Sequence, residues 1–186
     1  YLLPLNNYDA IEKNTAPEFA NYVAIAKIMK AFHFQYLVDI YGDVPYFDAF
    51  QRNGNISPAY DDSQEIYNDL IVQLTAAQDL IDASAGNGNV LLPTAGTDKM
   101  LAGNMTQWSK FANTLKLRIL LRQSEIGVTD YSSVTNSIGF LGAGETVYSN
   151  VGYVQDTGKQ NPLWDAFGKT VAGDPAANAN ATRATD

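Results

Sequence analysis

Tyr148, Tyr153 and Trp164 lie in an irregular C-terminal stretch, interleaved with Asn150, Gln155, Asp156 and Asn161. A flat ring presents an apolar face that stacks on the C–H face of a sugar, while amides and carboxylates bond the hydroxyls. Tyr148, Tyr153, Trp164 and Asn161 are therefore the candidate ligand-binding residues. The commoner use of such rings is to close a core over helices, and that alternative stands beside the binding one. Tyr46, Tyr60 and Trp108 sit at helix starts or ends and are expected to be structural.

Catalytic chemistry finds little to work with. Asp61, Asp62 and Glu65 offer the paired carboxylates that glycoside hydrolysis needs. Asp62 and Glu65, however, have the spacing of a capping box, in which each satisfies a free N–H at a helix start. His33, the one histidine, lies on an apolar helix face and is expected as a core imidazole. With no cysteine and one histidine, thiolate and zinc chemistry have no donor set, and no nucleophile–base–orienter set can be assembled. No catalytic residue, metal or cofactor is assigned.

Composition narrows the class further. The 186 residues are enough for one substantial core or for two small units sharing one; hydrophobic residues make up an ordinary 46%, while charged residues make up only 17%. That is low beside the roughly 25% usual in soluble chains, and the neutral polar surface suits a protein outside the cytoplasm. Net charge is −8 and no Lys/Arg run exceeds a pair, which argues against nucleic acid. No apolar run approaches the roughly 18 residues a membrane helix needs, and the N-terminus does not read as a signal peptide.

The elements that must position these residues are helical. Residues 1–17 read as an irregular approach segment broken by Pro4 and Pro17. A long helix follows from Glu18 to Tyr41, with Tyr22, Ile25, Met29, Phe32, Tyr36 and Ile40 on one face, widened by Ala26, His33 and Leu37. It stops at Gly42-Asp43-Val44-Pro45, where glycine can take a left-handed conformation and proline cannot continue a helix. Tyr46, Phe47 and Phe50 must then cross whatever packs beside it.

A second helix starts at Asp62, with a stripe of Ile66, Leu70, Leu74, Ala77 and Ile81. A third runs from Thr106 to Ser124, with Trp108, Phe111, Ala112, Leu115 and Ile119 on one face and Leu117, Leu120 and Leu121 largely opposite. A short fourth is expected at Asp130 using Val134, Ile138 and Leu141. TVYSNVGYVQ suggests an extended piece, and NPLW another helix start. Residues 166–186 are expected as a mobile tail. The fold class is all-α: helical hairpins of tetratricopeptide-like style with long irregular loops, in one incomplete domain over residues 1–186.

Arg118 and Arg122 flank the buried stripe of the third helix and need partners, because an unpaired buried charge is expensive. Asp39 occupies the matching position on the first helix. The sequence thus predicts structural ion pairs drawn from Asp39, Asp43, Arg118 and Arg122.

Three ordered blocks carry a family resemblance: KIMKAFHFQYLVDIYGDVPYFDAF, PAYDDSQEIYNDLIVQLTAAQDLI and DKMLAGNMTQWSKFANTLKLRILLRQS, with NPLW as a weaker fourth. Together they resemble the SusD/RagB family of nutrient-binding outer-membrane lipoproteins. The resemblance implies a non-catalytic protein on the extracellular face of the outer membrane, binding oligosaccharide or peptide and delivering it to a TonB-dependent, SusC-like transporter. Members are longer and are tethered through a lipidated cysteine absent from this chain, so the sequence reads as an internal portion of a longer lipoprotein. A helical-repeat scaffold for other proteins and a secreted glycan hydrolase are the rival readings.

Overall fold

A computed structural model describes residues 2–51, 54–134, 137–149 and 152–179, with residues 2 and 3 considered by backbone alone. The chain divides into two compact units, residues 1–148 and 149–186. Among the described residues there is no strand, only two isolated antiparallel bridges. No helix among them is long and apolar enough to cross a membrane.

The first unit contains helices α1 (Leu2–Asn14), α2 (Ala20–Tyr41), α3 (Ser63–Ser84) and α4 (Met105–Arg122). Helix α1 replaces the irregular approach segment expected there. Pro4 sits in its first turn, where an amide N–H has no intrahelical acceptor to lose, so the proline is tolerated. The helix docks antiparallel on α2 through charge. Asp9 meets Lys30 at 3.2 Å and Glu12 meets Lys27 at 3.3 Å across the pair, while Lys13 holds Asp9 from within α1 at 2.9 Å.

Helix α2 touches α1, α3 and α4. Its most buried arc is Ala24, Ile28, Ala31, Phe34, Gln35 and Val38 rather than the aromatic face read from the sequence. Tyr36 and Ile40 on that expected face are 42% and 60% exposed. The helix is apolar nearly all round, so ring size misled. Alanines at 24 and 31 are what allow a close approach, whereas the larger rings lie toward the rim. His33 is half-buried, stacked on Tyr8 at 5.8 Å, and burial pushes its pKa down.

The corner after α2 follows the sequence logic closely. Gly42 donates to Val38 O at 2.9 Å with φ +73°. Its ψ of −121° lies outside the left-handed helical region, in territory nearly exclusive to glycine. A Cβ at Gly42 would meet nothing within 4 Å, so the cost of one is purely conformational. Gly42→Ala is expected to cost about 1–2 kcal/mol, read as a lowered denaturant midpoint at unchanged slope.

Helix α3 begins where its cap predicted. Asp62 accepts the amides of Gln64 at 2.9 Å and Glu65 at 3.1 Å. The stripe Ile66, Leu70, Leu74, Ala77 and Ile81 is buried throughout. The corner and this helix start are tied twice: Asp43 Oδ1 accepts Ser63 N at 3.0 Å, and Asp61 N donates to Val44 O at 3.1 Å.

Helix α4 runs antiparallel to α3, as the pairing of Gln78 with Ser109 O and of Lys116 with Thr75 requires. Trp108, Ala112, Leu115 and Ile119 are nearly inaccessible. On the other side only Leu120 is buried, while Leu121 is 54% exposed, so the helix is not sandwiched between layers along its whole length.

The fourth helix expected from Asp130 does not form. A short 3-10 turn at Ser124–Ile126 ends in Gly127, and the chain then runs in turns. Asp130 spends its carboxylate on Ser132 N at 2.9 Å. Side chains of α4 capture the loop carbonyls a helix would need: Lys116 Nζ reaches Ser133 O at 2.6 Å, and Asn113 Nδ2 reaches Gly139 O at 2.9 Å. Residues 135 and 136 lie outside the described residues.

In the second unit, α5 (Pro162–Phe167) starts at Asn161, as NPLW suggested. The extended piece drawn from TVYSNVGYVQ is absent among its described residues, and positions 150 and 151 lie outside them. The first part of the expected tail is a closed turn, in which Thr170 donates to Asp174 O at 2.8 Å and Ala176 to Gly168 O at 3.0 Å. Residues 180–186 lie outside the described residues.

Candidate functional site

Three of the four residues singled out for binding come together. Tyr153, Asn161 and Trp164 line one shallow hollow of about 260 Å3 in the second unit, with Val154, Gln155 and Gln160. The hairpin turn at 154–159 makes this possible: Val154 N donates to Lys159 O at 3.0 Å and Lys159 N to Asp156 O at 3.0 Å. Asp156 is consumed in that turn, accepting Lys159 Nζ and Thr157 N, and those bonds hold its carboxyl below the ordinary carboxylate range.

Tyr153 is 53% exposed and Trp164 55%, so neither ring closes a core. Tyr148, 59% exposed, belongs to the first unit and does not line the hollow. Asn150 lies outside the described residues. Asn161 is the N-cap of α5, accepting Leu163 N at 2.9 Å and Trp164 N at 3.3 Å, so its carbonyl oxygen is largely committed to the helix.

Two glutamines also line the hollow. Gln155 Nε2 donates to Val171 O at 2.9 Å, and Gln160 Nε2 donates to Lys169 O at 3.3 Å. Each amide is thereby anchored to the 168–176 turn through one N–H, and the Gln160 Oε1 atom is itself buried. Trp164 itself is seated on backbone, since a Cβ at Gly168 would stand 2.5 Å from the indole. Neither the glutamines' anchoring nor this glycine seat was visible in residue spacing, because both depend on how the turn folds back.

The residues proposed for ion pairing separate into different roles. Arg122 Nε lies 2.9 Å from Asp39 Oδ2, and Asp39 also accepts the Tyr67 hydroxyl at 2.5 Å. Burial, with that bond to Asp39, pushes the Tyr67 pKa upward. Among the described residues Arg118 pairs with no carboxylate. It donates through Nε to Gln35 Oε1 at 2.9 Å and lies over the Phe32 and Tyr36 rings, each 5.5 Å away. Asp43 serves the α3 start instead. The aromatic face of α2 is thus the rim on which an arginine is stacked.

No catalytic pair emerges from Asp61 and Asp62. Asp61 Oδ2 accepts Tyr46 N at 2.7 Å and Phe47 N at 2.9 Å, and Asp62 caps α3. Among the described residues, no group of three or more His, Asp or Glu is placed to hold a metal. One carboxylate went unread in the sequence. Asp98, 8% exposed, accepts Trp108 Nε1 at 2.8 Å, Gly103 N at 2.8 Å, Met100 N at 2.9 Å and Leu101 N at 3.1 Å. Its signal was the buried indole, whose N–H must find a partner.

With this geometry in place, the comparison with known proteins is direct. Residues 1–150 match the SusD-like family described as "Starch-binding associating with outer membrane". The chain belongs to the SusD-like family. This SusD-like chain is 35% identical to a chitin-binding protein of known structure, over 66% of its own length and 25% of that protein's, with a TM-score of 0.56. It also resembles a chitin-binding SusD homolog from Flavobacterium johnsoniae, at 21% identity and a TM-score of 0.64, covering 73% of this chain and 29% of that one. A SusD homolog from Bacteroides vulgatus is similar at 21% identity and a TM-score of 0.68, covering 82% and 32% respectively. The last two likenesses speak for the fold alone. The chain spans between a quarter and a third of these structures' lengths, and the Trp164 hollow lies just past the stretch matched by the family. No curated protein sequence matches it.

Proposed function

We propose that this chain is the helical part of a non-catalytic nutrient-binding protein of the outer membrane. In this reading it captures oligosaccharide on the extracellular face and hands it to a TonB-dependent, SusC-like transporter. The family description and the 35% identical chitin-binding protein support a glycan over a peptide as the ligand. The observation that carries the reading is the exposed pair Tyr153 and Trp164 sharing one hollow with the anchored amides of Gln155 and Gln160. Rings of this kind stack on a sugar, and an anchored amide beside them selects the orientation of its hydroxyls. The open shape suits a chain held loosely and released onward.

Trp108 is buried and Trp164 exposed, so the fluorescence of Trp164 reports the hollow. Titration with chito-oligosaccharides and, in parallel, malto-oligosaccharides is expected to shift that emission with one of the two. Trp164→Ala should weaken binding about tenfold, the loss of one stacking contact. Gly168→Ala, which pushes the indole off its seat, should weaken it while leaving the core intact. Absence of saturable binding by both glycans would end the glycan reading, and release of reducing sugar from polysaccharide would restore the hydrolase.

A further inference from the structure

In the first unit, a groove runs between the end of α1, the first half of α2 and the 93–100 loop. Two hollows make it, of about 220 Å3 and about 610 Å3, and Ile11, Tyr22 and Thr97 line both. The inner hollow rests on Met29, Met100 and the Trp108 ring, the outer one on Ala16 and Phe19. From Tyr22 to Met29 alone is about 10 Å of helix at 1.5 Å per residue, so the groove is long as well as apolar.

The polar side chains along it are engaged within the chain. Asn14 Nδ2 donates to Ala10 O at 2.9 Å, and Thr15 Oγ1 donates to Ile11 O. Thr97 Oγ1 accepts Thr94 N at 2.9 Å and donates to Thr94 O at 3.1 Å. Asp98, in the inner hollow, is enclosed by its four donors. A sugar laid here would bury hydroxyls beside groups with little left to bond them, which is unfavourable. A hydrocarbon needs no such partner, and methionine walls adapt to a flexible chain.

One charge stands clear. Lys99 lines the inner hollow and is exposed, and among the described residues its ammonium meets only Ala95 O, at 3.4 Å, and no carboxylate. An apolar groove beside a single exposed cation complements an amphiphile with an anionic head. The inner hollow is smaller than the roughly 300 Å3 at which drug-sized sites begin, which fits one unbranched chain and not the paired chains of a membrane lipid. We propose that this groove binds a free long-chain fatty acid, its hydrocarbon between Ile11, Tyr22, Ile25 and Met100 and its carboxylate at Lys99. The groove and the Trp164 hollow share no lining residue, so the proposal does not depend on the glycan reading.

The test uses the Trp164→Ala chain, in which Trp108 is the only tryptophan, with dodecanoate at pH 8 below its micelle concentration as the probe. Calorimetry is expected to show saturable binding of one dodecanoate per chain, with Trp108 emission shifting over the same titration. Decanoate should bind about fifteenfold more weakly, since each buried methylene is worth about fourfold. Lys99→Glu, at an exposed side chain, should weaken dodecanoate about tenfold and strengthen dodecyltrimethylammonium. Ile11→Asp, at a side chain 37% exposed, should abolish dodecanoate binding with little change in melting temperature. Absence of saturable heat, equal binding of dodecyltrimethylammonium by the parent, or an unchanged affinity in Lys99→Glu would each overturn the proposal. Flotation with phosphatidylglycerol vesicles in place of dodecanoate binding would assign the groove to a membrane surface. A dimer in sedimentation that Ile11→Asp abolishes would assign it to a second copy, and either result overturns the fatty-acid site.

Discussion

Asp98→Ala is expected to lower the melting temperature by about 10 °C, corresponding to roughly 3–4 kcal/mol in a chain of this size. The carboxylate collects four donors at once, from Trp108 Nε1 and the amides of Met100, Leu101 and Gly103. Removing it strands an indole N–H in the core beside three loop amides, and stranded donors cost more than the bonds they had contributed. The loop cannot easily rearrange to compensate. Gly103 has φ +82°, and a Cβ there would lie 2.0 Å from Pro93 O, so the backbone is already packed on itself.

The same residue sets an acid limb. Burial raises the Asp98 pKa, but the bonds from Trp108, Gly103, Leu101 and Met100 outweigh it and hold the carboxyl below its ordinary value. A folded-state pKa below the unfolded one means that this stabilisation is complete above the unfolded pKa of about 3.9. It is lost as pH falls through the lower folded value. Asp98→Asn should therefore lose less stability than the parent between about pH 5 and pH 2, although it starts lower. Parallel acid limbs for the two chains would show that the carboxylate is not the titrating group.

Asp98 also marks where sequence reading stops. Asp62 was legible because the amides that donate to it are two and three residues away, and local spacing fixes an N-cap. The α3 stripe was legible for the same reason, being a single periodicity on one helix with one buried face. Asp98 also takes amides two and three residues on, but no helix follows there, and its bond to the indole ten residues ahead crosses an irregular loop that nothing periodic announces. Helix α2 failed differently. Apolar on almost every side, it offers no moment to read, and its buried arc is set by which neighbours approach the alanines. The stretch after Asp130 carried a weak helical pattern that lost to competing bonds from Lys116 and Asn113. In the candidate hollow, residue types pointed to Tyr153, Asn161 and Trp164, but Asn161 serves as a cap while Gln155 and Gln160 line the hollow from the 168–176 turn. Folding of the 168–176 turn decides that exchange, and a list of residue types contains no turn.

Phe34→Ala should be the most damaging single truncation at the glycine–proline corner, at about 3–5 kcal/mol. Phe34 is 2% exposed, and it is the ring on which the corner lands. Tyr46 stands edge-on to it at 4.6 Å and 82°, and Phe50 at 5.9 Å and 70°. Tyr46 is held from the far side as well, its amide on Asp61 and its hydroxyl on Asp69 Oδ2 at 2.5 Å. Burial, reinforced by Asp69, pushes that phenol's pKa strongly upward, so it stays a donor across the whole working range. Phe50 has a φ of +67°, a strained value for a residue with a side chain, and packing against Phe34 together with Lys30 Nζ 5.6 Å from its ring centroid stabilises it there. Truncating Phe34 thus removes the buried ring and also releases the strained residue that leans on it. Phe34→Leu keeps most of the volume and should cost under about 1.5 kcal/mol. The measurement is a pair of denaturant midpoints with limited proteolysis, in which Phe34→Ala opens new cleavage between residues 46 and 56 before α3 is cut. A loss under about 1 kcal/mol would mean the corner is held by Asp43 and Asp61 alone, and the α2 helix would not be what shapes the chain leaving it.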